Sequence, residues 1–142
     1  MNKLEGEVPA ELGMLQNLEI LYCHINALGG GGRSGKIPAS MGKLGNLQRL
    51  YFYKNRILGS IPDDMGKMSS LCVLDLGKKI DWRVFSTFTC LQGSIPVLLG
   101  LLSRLDFSIN LPNSHFEGQL PASIGKLVSL QAIDFSKNKL DS

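Results

Sequence analysis

The residues that most often carry catalysis or bind metals are scarce in this chain, which has two histidines and three cysteines among 142 residues. His24 and His115 lie far apart, and neither has a cysteine or a carboxylate at the spacing of metal ligands. No serine, cysteine or carboxylate pair is joined to a histidine by a catalytic motif, and the motifs of protein kinases are absent. The sequence therefore predicts no enzyme, no metal site and no cofactor.

One glycine-rich stretch imitates a phosphate-binding loop. Gly30, Gly35 and Lys36 have the G-x-x-x-x-G-K spacing, in which backbone amides and a lysine hold phosphates. The next residue is Ile37, where that motif needs a serine or threonine hydroxyl for magnesium. We therefore expect a glycine-rich loop here rather than a nucleotide site.

Ring side chains are the more informative candidates, because they alternate with other residues. One residue separates Tyr22 from His24, and one residue separates Tyr51 from Tyr53. Alternation places side chains on the same face of a strand. Four rings on one face would suit contacts with a protein, a peptide or a carbohydrate. Tyrosine also simply suits an exposed strand position, and this structural interpretation is about equally good.

A repeat that runs through the whole chain predicts the strands on which these rings would lie. A Gly-x-(Ile/Val/Leu)-Pro step occurs five times, and its prolines are 29, 24, 34 and 25 residues apart. Repetition at such a period indicates a solenoid. The five prolines are Pro9, Pro38, Pro62, Pro96 and Pro121.

Between the prolines one apolar pattern recurs, and its clearest copy is L-x-x-L-x-x-L-x-F-x-x-N-x-I over residues 44–57. The alternation at Leu50 and Phe52 predicts a short strand, so stacked copies predict a parallel sheet on the concave side. An inward asparagine would satisfy backbone groups of neighbouring coils. We expect the inward asparagines at Asn26, Asn55, Asn110 and Asn138.

The leucine spacing, the 24-residue unit and the Gly-x-Ile-Pro step resemble the plant-type leucine-rich repeat. This class includes ectodomains of receptor-like kinases, receptor-like proteins and polygalacturonase inhibitors. The resemblance implies a leucine-rich repeat solenoid, an α/β-type repeat fold of about five 24-residue coils, with 3-10 or irregular turns on the convex face. It covers residues 1–142 as one uncapped domain, which we expect to be a truncated member of the class.

Three copies depart from the unit, and we expect insertions near residues 29–34, 78–90 and 111–116. The second insertion contains Trp82, Arg83 and Phe85, residue types that are frequent in binding hot spots. These residues are candidate contacts, but the favoured interpretation is apolar cover where Lys79 replaces the inward asparagine. Whether Cys72 pairs with Cys90 stays open.

The charge and hydropathy of the chain limit the kinds of partner that the sequence predicts. The net charge is +3, from 15 basic and 12 acidic residues, which does not predict binding to nucleic acid. No apolar run approaches the about 18 residues of a membrane span, and the first residues lack the apolar core of a secretory signal. The resemblance implies the extracellular space, the cell wall or the plasma membrane, but the residues leave the localisation open.

The predicted function is non-catalytic recognition of a protein or peptide, in plant signalling or defence as the resemblance implies, with the ligand on the concave face. In the last three copies of the repeat, the outward pairs are expected to be Asp75 with Gly77, Asp106 with Ser108, and Asp134 with Ser136. The candidate ligand contacts on the concave face are Tyr22, His24, Tyr51, Tyr53, Arg49 and Lys54.

Three alternatives remain open. The first is an enzyme inhibitor of the polygalacturonase-inhibitor kind, with a cell-wall enzyme or pectin as its partner. Basic columns would favour it, and they are expected at Arg49 with Arg104 and at Lys54 with Lys78 and Lys137. The second is a non-functional fragment of a longer receptor-like kinase. Ice binding ranks last, since threonine occurs only at Thr87 and Thr89.

Overall fold

The structure, a computed structural model, describes residues 4–29, 35–77 and 90–141, except for the side chain of Cys90. The candidate contacts Trp82, Arg83 and Phe85 lie outside the described residues. So do Lys79 and most of the insertions expected near residues 29–34 and 78–90.

A proline opens each turn on the convex side. Pro38, for example, has a φ of −67° and precedes a 3-10 helix of five residues. Leu44 closes this helix by donating its N–H to the carbonyl oxygen of Met41 at 3.1 Å. The same arrangement recurs in every coil, so the predicted 3-10 turns are confirmed. The five helices are η1 (Ala10–Met14), η2 (Ala39–Lys43), η3 (Asp63–Lys67), η4 (Val97–Leu101) and η5 (Ala122–Lys126).

Parallel strands form the concave side of the solenoid and a further side of its coils. In chain order they are β1 (Glu5–Gly6), β2 (Ile20–Tyr22), β3 (Ala27–Leu28), β4 (Arg49–Tyr51), β5 (Leu58–Gly59), β6 (Val73–Asp75), β7 (Cys90–Gly93), β8 (Ser108–Asn110), β9 (His115–Gln119), β10 (Ala132–Asp134) and β11 (Lys139–Asp141). The concave sheet has five strands in the order β10-β8-β6-β4-β2. We number coils 1 to 5 by these strands, from β2 to β10. The remaining strands pair as β1-β3 and as β11-β9-β7-β5.

The core runs through the middle of the coils. In coil 2, Leu44, Leu47, Leu50 and Phe52 are fully buried. The alternation of the strand turns Leu50 and Phe52 away from the free face. Burying one such side chain stabilises the fold by about 1.5–3 kcal/mol. Ile133, in coil 5, is paired in register within the same concave sheet but is 46% exposed. Core burial is therefore greater in the middle coils than in coil 5.

Asparagines connect successive coils, as predicted for Asn26, Asn55 and Asn138. Nδ2 of Asn55 donates to the carbonyl oxygens of Cys23 and Phe52, both at 2.8 Å, and Oδ1 accepts from the N–H of Leu28 at 3.3 Å. Each of these asparagines follows a residue with a positive φ between 55° and 58°. This asparagine ladder satisfies backbone groups that the strands leave unpaired.

The prediction for coil 4 is wrong, because Asn110 does not belong to the ladder. The sheet register pairs Asn110 with Asp75 and Asp134, which occupy the free face. The ladder position is filled by Ser114, which follows a residue with a φ of 52° and is 5% exposed. The outward pair of coil 4 is therefore Asn110 with Pro112, not Asp106 with Ser108.

One extra residue causes this shift in register. Gln48 follows Leu47 directly, whereas Asp106 separates Leu105 from Phe107. The insertion expected at residues 111–116 is therefore misplaced: Leu111 is buried like Phe52, and β9 begins at His115. The shift also separates the two arginines expected in one column. Arg49 pairs with Val73, which pairs with Ser108, so Arg104 lies outside this column.

Candidate functional site

Two stacks of rings lie side by side on the free face of coils 1 and 2. Tyr22 and Tyr51 are paired in register, and their ring centroids are 5.0 Å apart at an interplanar angle of 18°. His24 and Tyr53 form the second stack, with centroids 4.6 Å apart at 13°. We call these four side chains the ring cluster. The spacing of adjacent strands, about 4.8 Å, sets both separations.

The two stacks are inclined steeply to one another. Tyr22 meets His24 at 85° with centroids 5.7 Å apart, and Tyr51 meets Tyr53 at 83° and 6.5 Å. Every ring thus has a stacked neighbour over one face and an edge contact beside it. The parts that remain for a ligand are outer faces, ring edges and tyrosine hydroxyls. Tyr22 is the most open of the four, with 59% of its surface exposed.

The backbone beneath the ring cluster is held by a dense set of hydrogen bonds. Cys23 donates its N–H to the carbonyl oxygen of Tyr51 at 3.0 Å, and Ile25 donates to that of Tyr53 at 3.1 Å. The side chain of Asn55 also binds the carbonyl oxygen of Cys23, which lies between the two ring residues of coil 1. The strands and the asparagine ladder therefore position the rings before any ligand arrives.

His24 is half-buried within the ring cluster. Its Nδ1 atom is buried and has no hydrogen-bond partner within the described part of the chain. The imidazole is therefore held by packing against Tyr22, Tyr51 and Tyr53 rather than by a hydrogen bond at Nδ1.

Two of the predicted contact residues, Arg49 and Lys54, are basic and lie in coil 2. Arg49 lies two residues before Tyr51 on the same face of β4, and its side chain is exposed. Arg49 forms no ion pair with any residue that the structure describes. Lys54 follows Tyr53 directly and is partly buried. The six predicted contact residues thus lie together on coils 1 and 2.

The free face changes character beyond coil 2. Val73, Asp75 and Ser108 occupy face positions of coils 3 and 4, but they are at most 5% exposed. Phe107, just before β8, is instead 57% exposed. The sequence interpretation missed Phe107 because it placed the residues on either side of it, Asp106 and Ser108, outward. The available signal was the distance from Leu105 to Ile109, which is four residues rather than the three between Leu47 and Leu50.

Cys23 and Cys72 are free thiols. Burial raises the pKa of the Cys23 thiol. Burial is also the main cause of the raised pKa of Cys72, and the nearby Asp106 carboxylate adds to it. A higher pKa lowers the thiolate fraction at neutral pH, so neither thiol is activated as a nucleophile.

Residues 4–29, 35–77 and 90–141 contain no cluster of histidine, cysteine and carboxylate side chains that could hold a metal ion. Across the same ranges, no helix has the length and apolar character needed to span a membrane.

Comparisons with known proteins agree with the repeat geometry. The family model of the Leucine Rich Repeat matches residues 46–68. The plant peptide hormone receptor RGFR1 in complex with RGF2 has a TM-score of 0.85 and 33% identity, over 99% of this chain and 20% of that chain. A search of curated protein sequences finds no significant match.

Two further solved structures are also similar. The Arabidopsis receptor kinase HAESA, in complex with the peptide hormone IDA and the co-receptor SERK1, has a TM-score of 0.83 and 28% identity, over 98% of this chain and 21% of that chain. A plant ice-binding protein has a TM-score of 0.79 and 26% identity, over 96% of this chain and 39% of that chain. The chain thus spans about a fifth of the length of these two receptors. Its repeat unit, its coil geometry and these matches identify the chain as a leucine-rich repeat protein that is similar to plant receptor-kinase ectodomains.

Proposed function

We propose that the chain is a non-catalytic recognition module that binds a peptide on its concave sheet, with the ring cluster as the main contact. The observation that carries this proposal is the concentration of Tyr22, His24, Tyr51 and Tyr53 on two adjacent coils, beside the exposed Arg49. Tyrosine and arginine dominate binding hot spots. Two of the similar solved structures, RGFR1 and HAESA, are plant receptors bound to peptide hormones, which supports a role in signalling or defence.

The geometry of the rings favours a peptide over a carbohydrate. A sugar ring needs an aromatic face, and in the ring cluster each ring has a stacked neighbour over one face, which leaves a sugar only the outer faces. Ring edges and tyrosine hydroxyls suit the amide groups and side chains of a peptide instead, because hydroxyls both donate and accept hydrogen bonds.

The test begins with peptides of eight residues selected from a random display library on the purified chain. We expect Tyr22→Ser and His24→Ala each to weaken binding of the selected peptides about tenfold, since each removes part of a hot spot. His115→Ala is the matched control, because His115 is exposed on β9 and away from the concave sheet. Equal affinity for the native chain and both cluster variants would refute the proposal.

An inhibitor of a cell-wall enzyme is the second candidate. The exposed side chains of Arg49, Arg104 and Lys137 favour it, because together they would attract an acidic partner such as pectin. Titration of a polygalacturonase with the chain, and separately of polygalacturonate, tests this candidate. Inhibition that falls with added salt and with Arg49→Gln would support it. Ice binding gains little support, since the central face column mixes tyrosine, aspartate and asparagine.

A further inference from the structure

Phe107 is an exposed aromatic side chain at a position where other coils carry polar or small residues. It occupies the column directly before the concave strands, which is filled elsewhere by Glu19, Gln48, Cys72 and Gln131. Its backbone keeps the usual hydrogen bond to the preceding coil, because its N–H donates to the carbonyl oxygen of Cys72 at 3.3 Å.

The phenyl ring of Phe107 is not part of the hydrophobic core. Leu105 and Ile109, on either side of it in the sequence, are 1% and 0% exposed and already fill the interior of coil 4. The side chain of Phe107 is 57% exposed, so it adds an apolar contact point at the edge of the concave sheet.

The distance from the ring cluster to Phe107 matches a short stretch of extended peptide. Two strand spacings separate Tyr51 from Phe107 along the solenoid, about 10 Å. Tyr51 also lies three residues farther along its strand than the position equivalent to Phe107, which adds about 10 Å at right angles. The diagonal is therefore about 14 Å, the length of about four extended residues.

An even spacing matters for the direction of the side chains. In an extended peptide the side chains of residues i, i+2 and i+4 point to one side. Two apolar side chains four residues apart can thus both face the sheet, one on Tyr22 and Tyr51 and the other on Phe107. The side chain between them then also faces the sheet, beside Arg49, because Val73, which pairs in register with Arg49, is only 5% exposed and is already covered.

Arg49 determines the charge expected at this middle residue. It precedes Tyr51 on the same face of β4 and pairs in register with Val73. Its guanidinium group is exposed and forms no ion pair within the described ranges. A guanidinium group binds a carboxylate through paired hydrogen bonds. Asp75, which pairs in register with Tyr51, is buried, so Arg49 is the exposed charge on this path.

We propose that the ligand is an extended peptide in which two apolar side chains, four residues apart, flank an acidic residue. The first apolar side chain packs on Tyr22 and Tyr51, the acidic one binds Arg49, and the second apolar one packs on Phe107. This inference rests on the proposed function and names the class of peptide that the concave sheet selects.

Synthetic peptides built on Phe-Ser-Glu-Ser-Phe, with acetylated and amidated ends and a fluorophore, provide the probe. Matched peptides carry Gln in place of Glu, or separate the two phenylalanines by three or five positions. We expect the peptide with Glu and a spacing of four to bind best by fluorescence anisotropy. Replacement by Gln should weaken binding about fivefold, as expected for a charge-assisted contact.

Variants of the 142-residue chain then assign each contact. Phe107→Ser should weaken binding about tenfold, and Phe107→Leu should restore most of it, because the contact needs apolar area. Arg49→Gln should weaken binding of the Glu peptide but not of the Gln peptide. Val97→Ser is the control, since Val97 is an equally exposed apolar residue on the convex side, at 63%.

The outcomes separate the two proposals. Loss of binding in Tyr22→Ser with native affinity in Phe107→Ser would overturn the second anchor and leave peptide recognition intact. Affinity that is independent of the spacing of the phenylalanines would also overturn the inference. If none of the designed peptides binds and the library peptides ignore the ring cluster, both proposals fail.

Discussion

At the scale of single residues, the ladder position after each concave strand holds the coils together. Asn55 is fully buried there, and its amide serves three backbone groups in two coils. Ser114 occupies the same position in coil 4, but its hydroxyl oxygen is buried without a hydrogen bond in the described part of the chain. A short side chain cannot reach the groups that the amide of asparagine reaches.

Replacing Asn55 by alanine should lower the free energy of unfolding by about 3 kcal/mol, because buried backbone groups would lose their partners. Urea denaturation followed by circular dichroism measures this change. The control is Asn46→Ala, which removes an exposed hydrogen bond to the carbonyl oxygen of Gln16 and should cost less than about 1 kcal/mol. Similar losses in the two variants would contradict the role of the ladder.

The substitution Ser114→Asn should raise the free energy of unfolding by about 1 kcal/mol, since an amide can form the bonds that the serine hydroxyl lacks. The backbone is already suitable, because the preceding residue has the same positive φ as in coils with asparagine. A thermal melt of this variant beside Ser114→Ala is the measurement. Alanine should be nearly neutral, and a lower melting temperature for the asparagine variant would show that the site is too small.

At the scale of elements, glycines let the 3-10 helices of neighbouring coils touch. A methyl group on Gly42 of η2 would collide with the backbone carbonyl and Cβ of Asp64 in the next coil. Gly13, Gly66 and Gly100 face the next coil in the same way, whereas Gly125 of η5 has open space. These glycines are therefore needed for close approach between elements.

Gly42→Ala should lower the free energy of unfolding by about 2 kcal/mol, because backbone atoms of the next coil must move to admit the methyl group. Gly125→Ala should change it by less than about 0.5 kcal/mol, since this glycine holds the same place in its helix but meets no atom within 4 Å. Chemical denaturation of both variants tests the pair. A large loss in Gly125→Ala would contradict this role of packing, because alanine is the better helix former and would meet no neighbouring atom there.

At the scale of the whole molecule, stability is a sum of coils and of the interfaces between them. β4 and β6 each have a strand on both sides, whereas β2 and β10 each have one partner strand within the described sheet. The ring cluster lies on coils 1 and 2. Within the described sheet, β2 of coil 1 has one partner strand and β4 of coil 2 has two.

Amide hydrogen exchange should therefore be slowest in β4 and β6 and at least about tenfold faster in β10, where Ile133 is 46% exposed. Mass spectrometry of peptic fragments, prepared in acid after exchange at neutral pH, resolves the coils. Uniform protection along the five concave strands would mean that the molecule opens only as one cooperative unit.

The sequence alone determined the repeat, the positions of the concave strands outside coil 4, and the grouping of the four ring residues with Arg49 and Lys54 on two adjacent coils. These features follow from local periodicity, which one chain displays directly. Only the tertiary structure decided how coil 4 aligns with its neighbours, because register depends on hydrogen bonds between coils. It placed Asn110 on the face, Ser114 in the ladder and Phe107 in solvent. The stacking of the rings likewise arises from contacts between coils, which sequence spacing does not contain.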